Sequence, residues 1–337
     1  MVAGSGGIGS YIGGMLAAAG ERVIFAGRPR VLEPIARDGL TVSDLDGSRV
    51  RVPPARFTCA YSIADAARQS APDDDVVALL AVKSHATARA AADIATAFAP
   101  STLVVSLQNG VENVARIRTA APKADAVAAM VPYNVVWAGA THVHRATDGT
   151  LYVQDGPRTA PVAAAFARAG LATRREAAMV PVLWGKLLIN LHNPVNALSG
   201  LPIRDELKQR DYRLAWAVLM SEGIAARRSA GIVPARILKL SPSALVRLLA
   251  LPDPAFALFA RRMAHIDPTA RSSMADDLRL GRPTEIDDWC GAVVRLADRH
   301  GLPAPANAAM TKLAGAYDGS YVEAARLLAT LRAARAP

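Results

Sequence analysis

Lysine is scarce in this chain relative to arginine, so the position of each ammonium is informative. Lys186, Asn190 and Asn193 are spaced i, i+4 and i+7 inside the apolar stretch 183–193. At a helical period that spacing places one ammonium and two amides on a single face. Ser273 and Glu285 follow, in Ser272-Ser273-Met274-Ala275-Asp276-Asp277 and Pro283-Thr284-Glu285-Ile286-Asp287, and add a hydroxyl and a carboxylate. Two further candidates lie in the first half. Lys83 closes the apolar run 76–82, and Gln108-Asn109-Gly110 follows the run 102–107. Both stand where open α/β sheets bind ligands, at the carboxyl ends of strands.

Each of these residues also has a plainer reading. Asn193 precedes Pro194 and fits a helix C-terminus, because the residue before a proline avoids the α region. Ser273 fits a helix N-cap, and Glu285 fits a first-turn acid favoured by the helix dipole. Lys186, on an otherwise apolar stretch, is the hardest to explain this way. His142-x-His144 would suit a metal on a strand, but no third ligand adjoins it in sequence. A solvated hairpin is the better reading there, and no metal is expected.

Gly4-Ser5-Gly6-Gly7-Ile8-Gly9 has dinucleotide-binding spacing. The first glycine permits a tight turn, the second lets backbone approach a pyrophosphate, and the third allows close helix–strand packing. Helix N-terminal N–H groups then hold the phosphates. An apolar helix, the stop at Gly20 and a strand follow, which is the context this motif requires. Only Met1-Val2-Ala3 precede Gly4, so either the first strand is short or the true start lies upstream. At the end of the second strand, where an acid would recognise a ribose 2′-hydroxyl, stands Arg28. A guanidinium there favours a 2′-phosphate, and so NADP over NAD; a solvated surface arginine is the alternative.

The elements that must position these groups can be read from periodicity. Runs 22–26, 76–82 and 102–107 are short, apolar and bounded by charged or turn residues, as strands buried on both faces are. Alanine-rich helical patterns such as 86–98 separate them. The segment 129–153 is β-rich, includes the turn Asp148-Gly149, and is expected to extend the sheet with a hairpin. From about Met179 strand signals stop. Stretches 183–193, 207–231, 244–265, 285–300 and 306–316 read as helices, and the end from 332 to 337 as frayed. The expected class is α/β: a Rossmann-type doubly wound, NADP-binding domain over 1–175, then an all-α substrate and dimerisation-type domain over 176–337.

Bulk properties restrict the function. A length of 337 residues suits two domains. The chain is 52 % hydrophobic, largely through alanine, and no apolar run reaches the roughly 18 residues a membrane span needs. The N-terminus lacks a basic segment and is broken by glycines, so a signal peptide is rejected and a cytoplasmic protein expected. Cys59 and Cys290 have no CxxC or Cys/His spacing, which argues against a zinc site or disulfide framework. The net charge of +10 is dispersed without basic runs, and aromatics are only 5 %, so nucleic acid is not an expected partner. A basic site for an anionic cofactor and an anionic substrate accounts for the sign.

Taken together, the glycine loop, Val82-Lys83, Gln108-Asn109-Gly110-Val111, Trp184-Gly185-Lys186-Leu187-Leu188-Ile189-Asn190, Asn193-Pro194, Thr284-Glu285-Ile286-Asp287 and His300-Gly301-Leu302-Pro303-x-Pro305-x-Asn307 resemble the ketopantoate reductase (2-dehydropantoate 2-reductase) family over nearly the whole chain. The resemblance implies an NADP-dependent oxidoreductase that reduces a 2-keto acid, ketopantoate to pantoate in pantothenate biosynthesis. It gives Lys186 the role of proton donor and places Glu285 beside substrate and nicotinamide. Asn190, Asn193 and Ser273 would hold the substrate's hydroxyl and carboxylate, Asn109 the nicotinamide end, and Lys83 would be a cofactor-side cation. The substrate would lie in a cleft between a Rossmann and a helical domain, and a homodimer is an assembly left open. Three departures bear on the substrate. The stretch from Asn190 to Asn193 is one residue shorter than is usual, and Ile203 and Ala270 stand where many members have polar residues. A paralogous NAD(P)-dependent reductase of another branched 2-keto acid is therefore a rival reading. An NADP-binding redox sensor without turnover is a second, which Lys186 and Glu285 argue against.

Overall fold

Short apolar runs build the strands of the N-terminal unit. They are β1 (Val2–Ala3), β2 (Val23–Ala26), β3 (Leu40–Ser43), β4 (Arg49–Val52), β5 (Phe57–Ala60), β6 (Val77–Leu80), β7 (Leu103–Ser106), β8 (Asp125–Met130), β9 (Val135–Gly139), β10 (His142–Arg145), β11 (Leu151–Gln154) and β12 (Thr173–Glu176). The structure, a computed structural model, describes residues 1–71, 74–233, 235, 240–260 and 270–335. It comprises two units, Met1–Met179 and Val180–Pro337.

Eight strands of the first unit form one sheet in the order β12-β11-β8-β7-β6-β1-β2-β5. Pairing is parallel from β8 through β5, and β11 runs antiparallel to β8. Helices α1 (Gly7–Ala18), α2 (Pro29–Asp38), α3 (Ile63–Arg68), α4 (Thr87–Ala97), α5 (Asn113–Ala120) and α6 (Ala160–Arg168) connect the strands. Alternate residues of the central strands enter different cores. Leu79 and Val105 join one cluster with Phe25 and Ile12, while Ala78, Leu80 and Val104 join another with Ile94 and Ile117. A side-chain period of two thus buries both faces, which makes the sheet doubly wound. From β1 the chain moves to β2 and β5 on one side, then returns to β6 on the other. The carboxyl ends of β1 and β6 therefore border the topological switch point, where such sheets bind ligands.

The β-rich segment departs from expectation only in part, since β11 does extend the main sheet against β8. The hairpin β9–β10 does not extend the main sheet but pairs with β3 in a second sheet, β4-β3-β10-β9. Only Val143 of β10 is fully buried, and β3 buries only Leu40 and Val42. Strands with one apolar face suit a one-sided sheet and not a sheet covered on both faces.

The second unit is helical throughout its described residues. Its helices are α7 (Met179–Asn190), α8 (His192–Ser199), α9 (Ile203–Glu206), α10 (Arg210–Ser229), α11 (Pro242–Leu249), α12 (Asp253–Ala260), α13 (Ser273–Arg279), α14 (Ala292–Arg299), α15 (Pro305–Gly315) and α16 (Ala324–Ala333), with a π turn over Asp287–Gly291. The helix expected over 183–193 ends at Asn190 and restarts at His192. Pro194 explains the break: it has no N–H to give the Asn190 carbonyl, and its ring crowds that same carbonyl. The stretch 244–265 is likewise divided before Pro252, and its end lies outside the described residues. The C-terminal segment, expected to be frayed from 332, includes the last turn of α16, a helix missed in sequence that buries Leu327, Leu328 and Leu331.

Candidate active site

β1 ends at Ala3, and Gly4 then turns with φ +108 while its N–H donates to the Ala26 carbonyl at 2.9 Å. A Cβ at Gly4 would lie 2.6 Å from Val82 N, and one at Gly9 would overlap the Gly4 carbonyl oxygen. These two glycines let the loop, α1 and the chain after β6 close on one another. Gly6 differs: it is exposed, it N-caps α1, and a Cβ there meets no protein atom within 4 Å. Among the described residues no side chain caps this helix end. The first N–H groups of a helix have no intrahelical partner, which is what a pyrophosphate requires. Gly7 packs on the Val135 carbonyl, and Ile8 packs against the main core. Ser5 is buried and fills the space over Gly27. Arg28 follows as the exposed N-cap of α2, with no ion pair among the described residues.

Lys83 and Asn109 follow β6 and β7 at the same sheet edge, both half-buried. A polar network missed in sequence ties their loops together. Gln108 Nε2 donates to the Val82 carbonyl at 2.9 Å and to Thr87 Oγ1 at 2.7 Å. Thr87 donates to Asn113 Oδ1 at 2.8 Å, and Asn113 Nδ2 donates to the Asn109 carbonyl at 2.6 Å. Ser84 Oγ also donates to that carbonyl at 3.3 Å. The glycine loop, Arg28, Lys83 and Asn109 are thus gathered at the carboxyl ends of β1, β2, β6 and β7.

In the second unit Lys186 lies on α7, partly exposed as a residue but with its ammonium enclosed, and burial lowers its pKa to about 8. Asn190 is buried at the last residue of α7, while Asn193 occupies the first turn of α8. The single helical face expected for Lys186, Asn190 and Asn193 is therefore split over two helices. Ser272 N-caps α13, accepting from Ala275 N at 3.2 Å, and its Oγ donates to the Asn193 carbonyl at 3.1 Å. The capping role considered for Ser273 belongs to Ser272; Ser273 is the exposed first residue of α13. The contact nonetheless brings Asn193 and the Ser273 segment together. Glu285 is buried just ahead of the π turn, and its carbonyl accepts from Asp288 N at 3.0 Å. Single π turns within helices frequently occur at functional sites.

His142 and His144 stand elsewhere, on β10, where Ser43 Oγ lies 2.7 Å from His142 Nε2 and 2.9 Å from His144 Nδ1.

A family model described as Ketopantoate reductase PanE/ApbA matches residues 1–158, and its C-terminal counterpart matches 178–318. The solved PanE/ApbA family ketopantoate reductase from Ralstonia eutropha JMP134 aligns over 99 % of both chains, with TM-score 0.75 and 30 % identity. The chain belongs to the ketopantoate reductase family. Among curated members, the 2-dehydropantoate 2-reductase of Halobacterium salinarum is 28 % identical over 316 residues, covering 90 % of this chain and 94 % of that one. The fold extends beyond that label. D-Mandelate dehydrogenase, solved with NADH and anilino(oxo)acetate, aligns over 99 % of both chains with TM-score 0.74 at 18 % identity. No helix among the described residues is long and apolar enough to cross a membrane.

Proposed function

We propose that this protein reduces a 2-keto acid with NADPH, 2-dehydropantoate to pantoate being the reaction. The observation that carries the reading is Lys186, an enclosed ammonium whose pKa burial lowers to about 8, on the helix that leads to the two candidate amides. When bound, NADPH supplies the hydride that the carbonyl carbon accepts. Backbone of Gly4, Ser5, Gly6, Gly7, Ile8 and Gly9 faces the pyrophosphate, Arg28 the 2′-phosphate, and Lys83, Asn109 and Glu285 the rest of the cofactor. Asn190, Asn193 and Ser273 hold the substrate's hydroxyl and carboxylate. Lys186 keeps a proton at Nζ, gives it to the carbonyl oxygen as charge builds there, and regains one from solvent. In this reading residues 1–175 bind cofactor, and 176–337 bind substrate and form a homodimer. The free thiols Cys59 and Cys290 suit a reducing cytoplasm.

Steady-state assays with 2-dehydropantoate, other branched 2-keto acids, NADPH and NADH test the reading. 2-Dehydropantoate with NADPH is expected to give the highest kcat/KM. A tenfold advantage for another keto acid overturns the pantoate assignment. One observation favours that rival: Ile203 N donates to the Ala270 carbonyl at 2.9 Å, so the two apolar departures adjoin. In the same assays Arg28→Ala should raise KM for NADPH roughly 10- to 100-fold and leave NADH unchanged. That matches the about 1.5–3 kcal/mol carried by hydrogen bonds to a charged group. Equal effects on both nucleotides would make Arg28 a solvated residue.

The pH profile is a separate test. A lysine whose pKa is lowered to about 8 is still mostly protonated at pH 7 and loses its proton as pH rises through 8. With Lys186 as the acid, kcat/KM for the keto acid is expected to be level near pH 7 and to fall about tenfold per unit above pH 8. A kcat/KM that stays level to pH 10 rules this role out.

A further inference from the structure

The segments that carry Asn193 and Ser273 are joined by a buried polar chain that the reaction as described leaves unused. Its centre is Glu206, fully buried at the end of α9. Glu206 Oε2 lies 2.7 Å from His192 Nε2 and accepts from Asn196 Nδ2 at 2.9 Å. Asn196, also fully buried, donates to the Leu201 carbonyl at 3.1 Å, and its Oδ1 accepts from Ser272 N at 2.8 Å. The Ser272 hydroxyl returns to the Asn193 carbonyl, which closes the loop of contacts. The His192 ring is fixed from a second side by Trp216, with ring centroids 4.7 Å apart.

Two features argue that this chain does more than fill space. Glu206 Oε1 is buried without a hydrogen-bond partner among the described residues, a cost that an apolar side chain of similar volume would avoid. Pro194 also leaves the Asn190 carbonyl without its i+4 donor, although Leu191 N still donates to the Leu187 carbonyl at 3.0 Å, so the backbone link between α7 and α8 is weakened. Contacts that help seat α8 against α13 include those of Asn196 Oδ1 and the Asn193 carbonyl with Ser272.

We propose that Glu206 is a positioning residue which, through His192 and Asn196, sets Asn193 and Ser273 relative to one another so that both engage one keto acid. The inference rests on the functional reading above and concerns substrate binding, not cofactor binding.

The test compares His192→Phe, Asn196→Leu and Glu206→Leu with the conservative pair His192→Gln and Glu206→Gln. In Glu206→Gln the amide oxygen can take the place of Oε2 and accept both bonds, and in His192→Gln an amide N–H can still reach Glu206. The two conservative variants are expected to keep KM for the keto acid within about threefold of wild type. His192→Phe and Asn196→Leu are expected to raise it at least about tenfold, with Kd for NADPH unchanged. Values of KM that stay near wild type in both overturn the proposal. So does a parallel loss of kcat, NADPH affinity and Tm, which marks a merely structural role. Amide hydrogen exchange gives a readout free of activity. His192→Phe, or Glu206→Leu where it folds, should speed exchange at residues 192–196 and 272–276 together, and faster exchange confined to either segment overturns the coupling. A wild-type chain that turns over no keto acid would refute the functional reading, while hydrogen exchange still decides the coupling.

Discussion

Lys186→Ala is expected to lower kcat for keto-acid reduction by roughly 10²- to 10⁴-fold, the usual contribution of a positioned general acid. The expectation follows from where the sequence places the residue. Trp184, Leu187 and Leu188 are buried on α7, so the helix is held by apolar packing and does not depend on the ammonium. Enclosure lowers the lysine's pKa to about 8, which leaves it charged at neutral pH yet a stronger acid than a solvated lysine. Kd for NADPH should be unaffected. Lys186→Arg separates charge from proton transfer, because guanidinium keeps its proton throughout the accessible pH range. It should lose as much kcat as alanine does. A loss below tenfold in Lys186→Ala would remove the residue from the chemistry.

The second large effect is expected at Gly6. Gly6→Val places its Cβ where no atom of the described residues lies within 4 Å, so the fold should tolerate it. The backbone there is extended, with φ −76, which valine adopts readily. Losing a glycine N-cap costs at most about 1 kcal/mol. The same side chain would occupy the approach to the α1 N-terminus, and NADPH affinity should fall more than about 100-fold, as blocked pyrophosphate contact predicts. Gly9→Ala should do the reverse first, since its Cβ overlaps the Gly4 carbonyl and must push backbone aside. Calorimetric Tm and nucleotide titration distinguish the two. If Gly6→Val binds NADPH normally, the open space beside Gly6 is not the phosphate site.

Legibility in the sequence followed the physics of each element. β2, β6 and β7 are short apolar runs between breakers, and their length and flanking residues identify them. β4 and β12, with sequences RVRV and TRRE, carry charges on exposed faces and give no such signal. The break at Leu191 was readable in principle. Pro194 was weighed for its effect on the residue before it, whereas the larger effect falls four residues back, on the Asn190 carbonyl. The hydrogen-bond networks were not readable. Ser272 and Asn193 are 79 residues apart, and Gln108 and Thr87 are 21 apart. No local period relates such partners, so residue types can suggest a site while its supports stay hidden until the chain is folded.

The joint at Leu191 also bears on how a site of this kind can diverge. In an unbroken helix, inserting or deleting one residue turns every later side chain by about 100° and displaces it by about 1.5 Å along the axis. Here such a change would fall at the joint before Pro194, and the contacts of α8 to Glu206 and Ser272 would favour its reseating. Lys186, upstream of the joint, keeps its place whatever follows. On the proposed roles, proton donor and substrate grip would then be separately mutable, and single-residue indels at the joint would re-cut the grip for a different acid while leaving the donor untouched.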